Sequence, residues 1–425
     1  MVLQKIIQIW KIKDLRNKIV YIFGMLVIFR IAAHIPVPGV DVSALKDFFA
    51  GNQFLGLLNI FSGGGMENFS VVALGVAPYI TASIIFQLLV MIIPKLEEMQ
   101  REGEAGQRKI NQWTRMLTIP LAIMQSYAMI ALLRQSQLQI IPELDIYKLI
   151  TTITTVTAGT IFLMWIGELI TEKKIGNGIS ILIFVGIVVR IPEILRNTMA
   201  TFDPEQLISL LVFAAIAVIT IVGVVIINEG QRNIPISYAR RVRGMKMYGG
   251  VDTHLPLRVN QAGVIPIIFA ISIVLFPPMV AQFFLRANSQ IIVKAAEFVI
   301  AVFENQVFYG VFYFLLVFGF TYFYTAVIFH PDRIAENLQK QGGFIPGIRP
   351  GNHTANYLQQ TSTRILLAGA LFLGLIAVLP LVVRAFSGSA SLVIGGTSIL
   401  IVVSVVIEIV QQVQSQLTMR DYEGL

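Results

Sequence analysis

Residues 207–228 read LISLLVFAAIAVITIVGVVIIN, and no side chain in that stretch is charged. A helix at the surface of a soluble domain shows a polar face to water. A run of about 20 residues that is apolar all round reads instead as a membrane span. The pattern recurs, and it predicts ten spans, at 19–35, 71–93, 113–133, 149–170, 179–200, 208–227, 262–285, 307–329, 364–384 and 392–410. Only 13% of the 425 residues are charged, against roughly 25% in soluble domains. The expected fold is therefore an all-α polytopic membrane protein. No cysteine is present, so disulfides and thiolate ligands are excluded.

Lys and Arg set the orientation of such a chain. The N-terminus and the loops after even-numbered spans hold 22 of the 32 basic residues, whereas the opposite side and its span ends hold 8. Both termini are thus expected to be cytoplasmic. The net charge of +8 mostly reflects this bias and does not point to a specific DNA partner. The basic, amphipathic residues 1–18 lead straight into the first span, with no cleavable signal sequence. A linker at 201–207 separates spans 1–5 (19–200) from spans 6–10 (208–410), and residues 411–425 form a short cytoplasmic tail. Five spans per half give the halves opposite orientations, so an inverted repeat is topologically possible.

Two cytoplasmic loops are long, at 228–261 and 330–363. The first contains Arg240, Arg241, Arg243 and Lys246; the second places Arg349 among prolines and glycines. Such loops serve as an orientation signal with solvated turns, or as a docking surface for an acidic partner such as RNA or an acidic protein.

Catalytic signatures are missing. His34, His254, His330 and His353 fall in loops or at span ends, and there is no H-E-x-x-H, G-x-S-x-G or Walker lysine motif. Arg30, Arg115, Arg190 and Glu168 lie close enough to span ends for snorkelling to account for them. Glu408 lies near the cytoplasmic end of the last span.

What is present is a depth pattern. On a helix, Val76, Ile80, Ser83 and Gln87 share one face of the second span. Ser180, Ile183 and Ile187 do so on the fifth, and Ile401, Ser404 and Glu408 on the tenth. Each stripe is aliphatic at mid-depth and polar toward the cytoplasm, and Ile268 lies at a similar depth on the seventh span. Interhelical hydrogen bonding is one explanation. The other is a wet cytoplasmic funnel ending in an aliphatic constriction that gates by dewetting. Ahead of the second span lies a short apolar stretch, residues 57–68, broken by Gly63, Gly64 and Gly65. It is an ordinary interfacial loop, or a segment hinged to fold inward and occlude the constriction.

The segments NIFSGGGMENFS, ALGVAPYITASIIFQLL, REGEAGQRKINQWTR, TEKKIGNGISILIF, HLPLRVNQAGVIP, FIPGIRPG and GGTSILIVV occur in that order, and the resemblance they carry runs from the first span to the last. Together they resemble the SecY family of bacterial protein-conducting channels. The resemblance implies ten transmembrane helices in two inverted five-helix halves around a central hourglass pore. It implies a lateral gate between spans 2 and 3 on one side and 7 and 8 on the other. Val76, Ile80, Ile183, Ile187, Ile268 and Ile401 match the pore ring. Residues 57–68, with Leu57, Leu58, Ile60, Phe61, Gly63, Gly64, Gly65 and Met66, match the plug. Arg240, Arg241, Arg243, Lys246 and Arg349 match cytoplasmic contacts to the ribosome or the SecA motor. The family further implies SecE and SecG small subunits, polypeptide substrates, the bacterial cytoplasmic membrane as location and no cofactor. One departure is the short stretch 411–425, which ends in MRDYEGL, where several relatives continue into a basic extension. The competing expectation is an ion-coupled small-solute transporter with inverted repeats, which calls for acidic or His ligands near the midplane.

Overall fold

Pro94 shows how single residues shape this chain. The residue before a proline is pushed out of the helical region, and Ile93 is extended, at φ −101° and ψ 108°. Helix α2 (Ala77–Ile92) stops there, and α3 (Pro94–Arg101) leaves at a bend of 101°. The bend lets Leu96 pack with Val90 and with Ile110 of α4 (Glu104–Gln135) in a small apolar cluster.

The computed structural model describes residues 10–38, 40, 44–45, 62–135, 145–200, 207–238, 241–243, 246–248, 253–285, 289–387 and 396–423. Before α2 comes α1 (Lys13–Ala32). After α4 come α5 (Ile146–Thr171), α6 (Gly178–Val188), α7 (Ile191–Ala200) and α8 (Leu207–Glu229). Strands β1 (Gln231–Tyr238), β2 (Arg241–Arg243), β3 (Lys246–Tyr248) and β4 (Thr253–Arg258) follow. Helices α9 (Ile265–Phe284), α10 (Gln290–Glu304), α11 (Gln306–Ile328) and α12 (Pro331–Lys340) precede β5 (Gly343–Phe344), and α13 (Asn352–Ser387) and α14 (Gly396–Glu423) complete the order.

A helix occupies each of the ten predicted spans. Among the described residues, five helices are long and apolar enough to cross a membrane, or six if the bent α2–α3 pair is one span. Exposed side chains such as Ile219 and Ile226 on α8 fit contact with lipid rather than water.

Several details depart from expectation. The second span is predicted from 71, but residues 71–76 form turns and α2 begins at Ala77, with a proline in its first turn. The fifth span breaks after Val188, and α7 starts afresh at Ile191 with Pro192 at its second position, where a missing N–H is harmless. An unexpected helix, α10, lies between the seventh and eighth spans. The last helix runs on to Glu423 rather than ending near 410.

The chain divides into two compact units. The first comprises Met1–Gln206, Ser272–Asn305 and Val405–Leu425. Its main cluster joins Val37, Leu45, Met66, Phe69, Ala73 and Leu74 to Ile130 and Leu133 of α4 and Val156 of α5. Small residues allow the close approach: a Cβ on Gly159 would lie 1.9 Å from the Val71 carbonyl oxygen. The second unit comprises Leu207–Ile271 and Gln306–Ser404. In its helical part, a Cβ on Gly374 of α13 would lie 2.7 Å from the Phe314 ring of α11. Its two long loops, read from the sequence as solvated turns or a docking surface, carry strands. β1 pairs antiparallel with β4, from Gln231↔Arg258 to Ile236↔Thr253, and with β5 at Ser237↔Phe344 and Tyr238↔Gly343. Pro235 falls where β1 has only one paired neighbour, which lets the sheet tolerate a missing donor.

Candidate channel lining

The ring candidates of the first unit sit at the start of α2 and in the middle and last turn of α6. Val76 is the N-cap of α2, and its carbonyl accepts from Ile80 N at 3.1 Å, so one backbone bond ties the two candidates together. Ile183 and Ile187 stand one turn apart on α6. The start of α6 is fixed by Asn177, whose side-chain oxygen accepts from Ile179 N (3.0 Å) and Ser180 N (3.3 Å). It is also clamped from α14: Gln412 Oε1 accepts from Gly176 N, and Gln416 Nε2 donates to the Lys174 carbonyl at 2.6 Å. All four aliphatic side chains are buried. On α2 the polar end of the stripe is only partly satisfied within the helix: Gln87 Nε2 donates to Ser83 Oγ at 3.2 Å, whereas the buried Gln87 Oε1 has no hydrogen-bond partner among the described residues.

In the second unit, Ile268 lies in the first turn of α9 and Ile401 on α14, again both buried. One turn beyond Ile401, Ser404 Oγ accepts from Asn228 Nδ2 at 2.7 Å. Asn228 Oδ1 accepts from Asn260 Nδ2 at 2.6 Å, which also reaches the Gly263 carbonyl at 3.1 Å. For Ser404, interhelical hydrogen bonding therefore describes what the side chain does. This chain of amides joins the end of α8, the segment entering α9 and α14. Asn228 and Asn260 do not stand out in the sequence, because a lone amide at a span end looks like an ordinary cap.

Of the plug candidates, Leu57, Leu58, Ile60 and Phe61 lie outside the described residues. Gly63, Gly64, Gly65 and Met66 fall in a tight series of turns. Gly63 and Gly64 have φ of +65° and +83°, the left-handed region that favours glycine. Ser62 Oγ accepts from Met66 N at 3.0 Å, and Met66 is packed in the cluster with α4 and α5. The segment then pairs with residues 35–37: Val37 N donates to the Phe69 carbonyl (2.8 Å) and Val71 N to the Ile35 carbonyl (2.9 Å).

The charges near span ends do more than snorkel. Arg115 pairs with Glu168 at 2.8 Å and Arg190 with Glu67 at 2.7 Å, while Arg30 Nη1 donates to the Gly63 carbonyl at 2.9 Å.

On the loop side, Arg241 and Arg243 lie on β2 and Lys246 on β3, paired as a hairpin; Arg240 lies outside the described residues. Arg349 is exposed. Its loop is held from below by Ile345 and Ile348, which pack with Ile234, Leu257 and Leu358. Thr354 Oγ1 donates to the Arg349 carbonyl at 3.0 Å, and Gly347 and Gly351 both have positive φ.

The SecY family model matches residues 70–410. The chain is 44% identical to the protein translocase subunit SecY of Mycobacterium bovis, over 97% of each chain. The chain belongs to the SecY family. Two solved structures share the fold. A SecY channel, described as having a plug domain that stabilises its closed state, matches with a TM-score of 0.63 and 17% identity over 93% of this chain and 91% of that one. Sec61 in the canine ribosome–channel complex matches with a TM-score of 0.58 and 16% identity over 94% and 91%. As a SecY protein, the chain is a multi-pass channel subunit of protein translocase and not an enzyme. The small-solute transporter is set aside with it.

Proposed function

We propose that this SecY protein passes unfolded secretory polypeptides across the bacterial cytoplasmic membrane and releases apolar segments sideways into lipid. The burial of all six aliphatic candidates, each at most 6% exposed, is the observation that carries the reading. Val76, Ile80, Ile183, Ile187, Ile268 and Ile401 would form a constriction that water and ions cross poorly when no chain fills it. Residues 57–68 would act as the plug. Lateral release needs no catalyst: Leu, Ile, Phe and Val at a helix centre each favour the bilayer by about 0.3–0.6 kcal/mol.

Driving force would come from outside the chain. The β2–β3 hairpin with Arg241, Arg243 and Lys246, the neighbouring Arg240, and exposed Arg349 would form the docking surface for SecA and the ribosome. The Sec61 relative was captured with a ribosome, which supports this orientation, with both termini cytoplasmic. SecE and SecG would complete the complex. The domain scheme that accompanies this reading has two inverted halves, 19–200 and 208–410, joined at 201–207.

The ring is tested with Ile401→Asn, which places an amide where dewetting is needed. In planar bilayers the variant complex is expected to conduct ions at rest, and in a reconstituted assay it is expected to accept substrates with defective signal sequences. Conductance and stringency that both match the parent protein would overturn the ring assignment.

A further inference from the structure

Two arginines act on the turns at 62–69 from different helices. Arg30, near the end of α1, donates to the Gly63 carbonyl at 2.9 Å. Arg190, just past the end of α6, pairs with Glu67 Oε2 at 2.7 Å. The turns are wedged closely enough that a Cβ on Gly63 would lie 2.7 Å from the Phe29 ring and 3.2 Å from Gly186 Cα. Gly186 directly precedes the ring candidate Ile187. Glu67 therefore fastens the segment beside the part of α6 that bears Ile183 and Ile187.

The fastening has the character of a catch. Apolar packing holds Met66 and Phe69 in the cluster with α4 and α5. Glu67 and Arg190 are held differently: their side chains keep 27% and 26% of their exposure, so water reaches both. A partly exposed ion pair is directional, yet its net strength is modest because water replaces it when it parts. Such a contact can open and reclose without leaving a bare charge in an apolar site.

We propose that Glu67 is the catch of the resting seal, and that Arg190, assisted by Arg30, positions it and so sets how readily the channel opens. The proposal rests on reading residues 57–68 as a plug. Neither arginine is assigned to the ring or to the docking surface.

The test uses the intact channel complex in planar bilayers, at low and high salt. Glu67→Gln and Arg190→Gln are each expected to raise the resting open probability about tenfold, which corresponds to ~1.4 kcal/mol. The double variant is expected to be no leakier than either single. Arg190→Lys, which keeps the charge, is expected to stay near the parent, and the exchange Glu67→Arg with Arg190→Glu to return toward it. High salt is expected to raise the parent's open probability and to leave Glu67→Gln unchanged. Deletion of residues 57–68 is the reference. If deletion raises conductance while the neutralised variants match the parent, the catch is wrong and the plug stands. If deletion changes nothing, the plug reading falls and the catch with it. A double variant whose effect is the product of the singles would show that the two residues act separately, which also overturns the pairing.

Discussion

The turns at 62–75 and those at 343–351 are both glycine-rich connections leading into a long helix, yet they handle charge in opposite ways. In the first, charge faces inward: Glu67 meets Arg190, and Arg30 reaches the Gly63 carbonyl. In the second, charge faces outward. Arg349 is exposed, and the loop beneath it is fixed by Ile345 and Ile348 in an apolar cluster and by a strand pairing at Tyr238↔Gly343. The first turns also pack in an apolar cluster, through Met66, Phe69, Ala73 and Leu74, so the contrast lies in the ionic contacts added at Glu67 and Gly63, which exchange readily with water and suit the proposed release of the segment from its site. Beneath Arg349 the packed cluster stands without such ionic contacts among the described residues and resists displacement, which suits the proposed platform for a cation held at a constant place. The difference teaches that glycine content alone does not mark a mobile segment; what fastens the turns decides.

The largest effect that would break this comparison comes from hollowing the platform. Leu358 is fully buried at the centre of the cluster that supports Arg349. Leu358→Ala is expected to destabilise the loop region by about 2–5 kcal/mol. Limited proteolysis would read this as faster cleavage within 330–363, with resting conductance unchanged. A variant cleaved no faster than the parent would mean that the cluster does not carry the loop.

The ten apolar stretches were legible because each is long and nearly free of charge, and each carries a helix. The platform was not legible. Ile234 and Ile236 are the only buried residues of β1, within a strand that also contains a proline. Ile345 and Leu358, cluster partners of Ile234, lie more than 100 residues further on, so no local pattern announces the sheet. The same distance hid the catch: Glu67 and Arg190 are 123 positions apart, Arg190 alone looks like a residue snorkelling from a span end, and Glu67 alone is one more loop carboxylate. The aliphatic positions Val76, Ile80, Ile183 and Ile187 were readable from helical spacing. The amides Asn228 and Asn260, which tie Ser404 to the start of α9, had no periodic signal at all.

A smaller effect sharpens the contrast between two glycines. A Cβ on Gly159 would lie 1.9 Å from the Val71 carbonyl oxygen and 2.7 Å from its carbon, and backbone cannot step aside as a flexible side chain can. Gly159→Ala is expected to cost about 1–3 kcal/mol through overpacking, and to raise resting conductance by displacing the turns at 62–75. Gly347 has φ +83°, and a methyl group there would meet nothing within 4 Å. Gly347→Ala is expected to cost only ~1 kcal/mol, from the backbone conformation alone, and to leave conductance as it was. Thermal unfolding midpoints and bilayer currents measured on both variants separate the two mechanisms. Equal leakage from both would erase the distinction between a wedged turn and an open one.

The smallest effect on stability belongs to Arg349. Its side chain is exposed, and its backbone carbonyl, held by Thr354 Oγ1, is untouched by substitution. Arg349→Glu is therefore expected to shift stability by less than about 0.5 kcal/mol. Its effect on docking is expected to be far larger, because a rigid platform cannot move the wrong charge out of the way of an acidic partner, and like charges brought together at an interface cost several kcal/mol. Lys46→Glu, on the opposite side of the predicted topology, is the control. SecA-driven and ribosome-driven translocation into vesicles should both fall for Arg349→Glu and hold for Lys46→Glu, with the deficit deepening at low ionic strength, where exposed charges are screened least. Equal losses for the two variants would show that Arg349 contributes only to the general charge bias, and the outward-facing half of the comparison would then carry no docking role.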